Sequence, residues 1–142
     1  MARGLVARAS ISLRVSPGRV WKALTDPAEI RKYLFGTEVL SEWKKGSPIL
    51  YRGSWEGKAY EDKGTILELE PERLFTSTYW SSMSGSADSP ENYSEVSWAI
   101  TPRGAGIELS VTQDNCADEA SRVHSQANWG LVLAELKKLV ED

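Results

Sequence analysis

One long amphipathic stripe constrains this chain more than any other feature. Trp129, Val132, Leu133, Leu136, Leu139 and Val140 recur at i, i+3, i+4, i+7, i+10 and i+11, the spacing of a helix with a single apolar face. The pattern predicts a helix from about Ala117 to Val140. Asp118 and Glu119 suit its positive end, and Lys137 and Lys138 its negative end. Such a face must be buried against something.

The rest of the chain supplies a sheet. Leu5, Ala7, Ala9, Ile11, Leu13 and Val15 alternate with Arg8, Ser10, Ser12 and Arg14, the pattern of a long half-buried strand. Short strands with turns between them follow further on: Thr37 to Trp43, Ile49 to Trp55, Ala59 to Leu69 and Leu74 to Trp80. A polar loop over residues 81–92 leads to a hairpin of Tyr93 to Ile100 and Ile107 to Gln113. Between the first strand and the others lies VWKALTDPAEIRKYLFG, residues 20–36. It reads as two short helices broken at Thr25-Asp26-Pro27, with Ser16 capping the first and Pro17 opening it. Val20, Trp21 and Leu24 are expected to pack inward from the first helix, and Ile30, Leu34 and Phe35 from the second. Strands in sequence with helices at the chain ends imply an α+β domain, with a curved antiparallel sheet of about six to seven strands wrapped around the long helix. Residues 1–142 read as one domain, without repeat or linker.

Composition excludes several function classes. The net charge of −3 provides no basic face for nucleic acid. One cysteine (Cys116) and one histidine (His124) cannot make a disulfide or a thiolate metal site, and no cofactor is expected. No Gly-rich phosphate loop follows a strand. The absence of a long apolar run argues against a membrane span, so the expectation is a soluble, cytoplasmic protein.

Three strings resemble one family. VWKALTDPAEIRKYLFG, GTILELEPERL (64–74) and NWGLVLAELKKLVE (128–141) are similar to motifs of the activator of Hsp90 ATPase branch of the START/Bet v 1-like, SRPBCC helix-grip superfamily. Asn128 stands where that branch usually has glycine. The resemblance implies the helix-grip fold, with a cavity between the C-terminal helix and the concave sheet. Members of the superfamily hold lipids, sterols, hormones or polyketide intermediates there, and a few catalyse cyclisation or dehydration. The founding activator carries an additional N-terminal domain that grips the chaperone; the expectation here is a chain without one.

Candidate ligand-binding residues follow from that frame. Tyr51 and Trp55 share a strand face, Trp80 ends a strand, Trp98 belongs to the Val96/Ile100 face, and Gln113 continues the Ile107/Leu109/Val111 face. Core packing is the ordinary role of any one of these aromatics taken singly. Carried backwards along the helix, the Trp129 direction meets Arg122, flanked by Ser125 and Gln126. Arg122 then either holds an anionic ligand group in the cavity or is solvated surface, with Val123 and Ala127 buried instead. His124 points away from that face. The carboxylate pairs Glu68/Glu70 and Glu61/Asp62 read as solvated, the first because strand parity turns it outward if Leu67 and Leu69 face in.

Three functions remain open at this level. The first is non-enzymatic binding of a small hydrophobic or amphipathic molecule. The second is a co-chaperone-like partnership with an Hsp90-type chaperone. The third is a cyclase or hydrolase drawing on Arg122, Tyr51 or Asp118. The expected assembly is a monomer or weak homodimer.

Overall fold

The computed structural model describes residues 4–141, except for the side chain of Trp55. The elements run β1 (Leu5–Leu13), α1 (Pro17–Thr25), α2 (Pro27–Tyr33), β2 (Glu38–Ser41), β3 (Pro48–Trp55), β4 (Lys58–Glu70), β5 (Leu74–Ser81), β6 (Ser94–Arg103), β7 (Gly106–Cys116) and α3 (Glu119–Val140). The seven strands form one antiparallel sheet in the order β1-β7-β6-β5-β4-β3-β2. This is the expected α+β helix-grip arrangement, with α3 lying on the concave face.

Local chemistry explains the broken helix. The Ser16 hydroxyl accepts from the Arg19 N–H, and Pro17 occupies the first turn. Asp26 then serves twice. Its backbone N–H closes α1 on the Lys22 carbonyl, and its carboxylate caps α2 by accepting from the Ala28 N–H at 3.0 Å. Two long-range bonds hold the V. Arg19 Nη1 meets Glu29 Oε1 at 2.5 Å, and the Tyr33 hydroxyl donates to the Ala23 carbonyl at 2.9 Å. Val20, Leu24, Ile30 and Tyr33 are buried, while Trp21 and Leu34 pack partly against the core. Phe35 departs from expectation. It follows the end of α2 with φ of +54° and is 56% exposed, because the chain turns there to enter β2.

The helix α3 packs chiefly on β1, with further contacts to β7, α2 and α1. Val132, Leu133, Leu136 and Val140 are its buried face. Lys137 Nζ donates to the Ser12 carbonyl, and the Glu141 carboxylate accepts from the Arg14 N–H at 2.8 Å, which fixes the helix along the β1 edge. It therefore covers only part of the sheet, leaving β3, β4 and β5 uncovered toward their concave side.

Two irregularities in β4 shape that side. Pairing with β5 slips by one residue between Ile66 and Glu68, so β4 carries an extra residue, a β-bulge at Leu67. Gly64 lies so close to β5 that a Cβ there would sit 1.7 Å from the Thr78 carbonyl oxygen. The neighbouring Thr65 N–H is taken by the Thr78 hydroxyl at 2.8 Å. Glycine kinks and bulges are the devices by which sheets curve.

Candidate functional site

The bend of β4 and the offset of α3 leave a cavity of about 660 Å³ between helix and sheet. Pockets for small molecules span roughly 300–1,000 Å³. Its walls are mostly aromatic and aliphatic. Trp98 stands on β6, and its ring meets the Trp129 ring edge-on, with centroids 5.4 Å apart. Trp129 Nε1 donates to Gln113 Oε1 at 2.9 Å, tying α3 to β7 at the back of the cavity. Trp43 and Phe75 make a second aromatic pair, with centroids 5.9 Å apart. One end is closed by Tyr60, whose ring lies over Gly53 on the neighbouring strand. A Cβ at Gly53 would come within 2.5 Å of the phenol oxygen. The Tyr60 hydroxyl donates to Thr37 Oγ1, which itself donates to the Leu34 carbonyl. Exposed Phe35, Met83, His124 and Leu131 stand at the opening.

A polar group sits in this apolar wall. Asp62 pairs with Tyr51 across β3 and β4, and Tyr79 on β5 donates its hydroxyl to Asp62 Oδ2 at 2.6 Å. The Tyr51 and Tyr79 rings pack edge-on at 6.0 Å, and Ser77 lines the cavity with them. Asp62 is only 8% exposed, and its Oδ1 is buried without a hydrogen-bond partner among the described residues. Asp62 is expected from the sequence to be solvated together with Glu61, whereas only Glu61 is exposed; counted back from Leu67 and Leu69, strand parity would turn Asp62 outward. The bulge at Leu67 inverts that parity: upstream of it Asp62, Gly64 and Ile66 face in, and downstream Leu69 does. The adjacent apolar pair Ile66-Leu67 was the signal available in the sequence.

Burial pushes the Tyr51 phenol up to about 12, and the nearby Asp62 carboxyl adds to the rise against the lowering effect of the Ser77 hydroxyl. Burial, then Asp62, raises Tyr79 in the same direction, and burial raises Tyr33. A raised phenol keeps its proton in the fold after the unfolded chain has lost it. This contribution to stability is full below the ordinary value of 10.0 and is lost between there and about 12. The expected result is a phenolate absorbance titration in which Tyr33, Tyr51 and Tyr79 ionise only as the protein unfolds. The urea midpoint should fall steadily over that pH window. A midpoint flat through the window would contradict the burial of these phenols.

The other residues expected to bind ligand separate into two groups. Tyr51, Trp98, Gln113 and Trp129 line the cavity. Trp80 does not. It neighbours the inward Tyr79, so strand alternation sends it to the opposite face, where it stacks on Tyr93 (centroids 6.4 Å apart) under Lys63. Its indole N–H donates to Ser86 in the 81–92 loop. Arg122 and Gln126 also lie away from the cavity. The Arg122 guanidinium is occupied by both Glu119 carboxylate oxygens and by Gln126 Oε1. Gln126 Oε1 accepts as well from the Arg8 N–H of β1 at 3.2 Å. The alternative, with Val123 and Ala127 buried, does not hold either, because both are exposed. On the helical wheel Arg122 and Gln126 fall about 20° and 60° to the β1 side of Trp129. Ser125 and Asn128 fall about 40° and 100° to the other side, and these two line the cavity. Asp118 caps α3, accepting from the Ser121 N–H at 2.8 Å. Trp55 ends β3, and its side chain lies outside those described.

Comparison with known proteins matches this architecture. The model of the family described as Activator of Hsp90 ATPase homolog 1-like protein matches residues 14–141. The solution structure of ChR145 from Cytophaga hutchinsonii superposes with a TM-score of 0.85 at 41% identity, over 99% of this chain and 97% of that one. The solution structure of the Aha1 dimer from Colwellia psychrerythraea gives a TM-score of 0.76 at 18% identity, over 96% of each chain. The crystal structure of CalU16 from Micromonospora echinospora gives 0.71 at 20%, over 99% of this chain and 86% of that one. The last two likenesses, below 25% identity, speak to the fold alone. No curated protein matches the chain. No described helix is long and apolar enough to cross a membrane.

Proposed function

The chain belongs to the Activator of Hsp90 ATPase homolog 1-like family, and from this premise we propose that it binds a small amphipathic molecule in the cavity under α3, without catalysing a reaction. The carrying observation is the cavity itself: about 660 Å³ in volume, walled by the Trp98/Trp129 and Trp43/Phe75 pairs and open past exposed apolar side chains. A well-packed interior leaves few voids larger than a water molecule, so a space of this size beside a fully formed core supports the binding reading. Aromatic walls with a few fixed polar groups are what small-molecule sites use for affinity and orientation. Of the three residues on which a catalytic reading drew, Arg122 and Asp118 are committed elsewhere, and Tyr51 alone lines the cavity.

The test uses a neutral apolar fluorophore, Nile red. Wild-type protein is expected to take it up with blue-shifted, enhanced emission. Ser125 lines the cavity from the half-buried flank of α3, where a bulky side chain enters the space without disturbing the seated face. Ser125→Trp should weaken uptake by about tenfold or more, with the thermal midpoint little changed. Equal uptake by both proteins would rule the cavity out as the binding site.

The family description also favours a second reading, partnership with an Hsp90-type chaperone. It predicts co-purification and a change in the chaperone's ATPase rate, and it fails if neither is seen.

A further inference from the structure

We propose that the ligand of this cavity is a cationic amphiphile, a protonated amine on an apolar body, held by the Asp62 carboxylate between Tyr51 and Tyr79. The proposal rests on the cavity being a ligand site and goes further by naming the ligand's charge and the residue that reads it. Three observations converge.

The first is the unfilled acceptor. Asp62 lines the cavity and is more than nine-tenths buried, yet only one of its carboxylate oxygens has a donor, the Tyr79 hydroxyl. Oδ1 has none among the described residues. A buried acceptor left unpaired costs about 1–3 kcal/mol, and more when charged. The torsion that turns a carboxylate about its Cβ–Cγ bond is soft, so a donor entering from the cavity can be met by a small rotation.

The second is the sign of the charge. Among the described residues lining the cavity Asp62 is the one acidic side chain, there is no lysine or arginine, and the one basic group, His124, stands exposed at the opening. Arg122, the nearby cation that could have received an anionic headgroup, is held by Glu119 on the β1 side of α3. A carboxylate or phosphate ligand would meet Asp62 with no lysine or arginine beside it to balance the charge.

The third is the setting. Tyr51 is the cross-strand partner of Asp62, Tyr79 donates to it, and the two rings stand edge-on to each other. The π-faces of tyrosine and tryptophan attract an ammonium group, more strongly when water is excluded. A buried carboxylate flanked by aromatic rings therefore favours an ammonium group over a neutral alcohol.

Three probes of one chain length decide the matter: decylammonium, 1-decanol and decanoate, titrated against wild type and Asp62→Asn at neutral pH by displacement of Nile red. The expected order for wild type is amine, then alcohol, then carboxylate. The amine should lead the alcohol by about ten- to a hundredfold, the worth of a charge-assisted hydrogen bond. Asp62→Asn should bring the amine and alcohol together. The wild-type ranking needs no variant, so the proposal stays exposed to refutation even if Asp62→Asn fails to fold. Alcohol or carboxylate binding as tightly as the amine overturns it, as does an amine preference that survives Asp62→Asn. Either result leaves the cavity reading intact, as does Nile red uptake with no displacement by the amine, which also overturns the cation proposal. Failure of the protein to take up Nile red or any of the three probes overturns both.

Discussion

Gly64→Ala is expected to cost the fold about 3 kcal/mol or more, read as a lowered urea midpoint. The reason is contact. A Cβ at this position would stand 1.7 Å from the Thr78 carbonyl oxygen, a backbone atom of the adjacent strand. No rotamer relieves such an overlap, so β4 and β5 must move apart. They part where Asp62, Tyr79 and Ser77 build the cavity wall, so the surviving folded fraction should also bind Nile red less well. Gly130→Ala is the control. It lies within α3 with nothing in reach of an added Cβ, and the exchange should stabilise the protein by about 0.5–1 kcal/mol. If Gly64→Ala and Gly130→Ala behave alike, the close approach of β4 to β5 is wrong.

Leu136→Ala is expected to cost about 2–5 kcal/mol. Leu136 is fully buried in the middle of the face by which α3 seats on the sheet. Removing it leaves a void under a helix that also forms a wall of the cavity, so ligand affinity should fall together with stability. Leu131→Ala, on the exposed flank of the same helix (62% exposed), should change stability by no more than about 0.5 kcal/mol. Equal losses from the two would mean that α3 does not seat on the sheet by its Val132/Leu133/Leu136/Val140 face.

These contrasts bear on how the chain encodes a site. The cavity exists because α3 runs along the β1 edge instead of over the middle of the sheet, and because β4 bends toward β5. Stability and the proposed binding thus fall on different parts of the same elements. One flank of α3 meets β1 through Gln126 and Lys137, and the other presents Ser125 and Asn128 to the cavity. The buried, half-satisfied Asp62 is the same division within one residue. Such a group is destabilising unless a ligand completes it.

Much of this fold was legible in the amino-acid order alone. The alternation in β1, the caps at Ser16 and Asp26 and the stripe of α3 depend on residues a few positions apart, so the sequence displays them directly. Tyr51, Trp98, Gln113 and Trp129 were legible as an inward set for the same reason, since each shares a face with apolar neighbours on its own element. Even Trp80 was within reach, since Phe75 and Tyr79 share the inward parity and leave Trp80 outside. Asp62, Arg122 and Gln126 were not. Parity runs along a strand only until a bulge resets it, and the bulge at Leu67 arises from how β4 pairs with β5. A helical wheel fixes the angle between Arg122 and Ser125 but not which of them overlooks empty space. That depends on where the helix axis lies across the sheet, set by contacts between residues more than a hundred positions apart, such as Arg8 with Gln126 and Arg14 with Glu141. The elements, their caps and the faces they bury can be read from the amino-acid order, because short-range sterics and periodicity set them. Which buried face borders a cavity, and which carboxylate looks into it, emerges first in the folded chain, because strand register and helix docking are long-range packing choices.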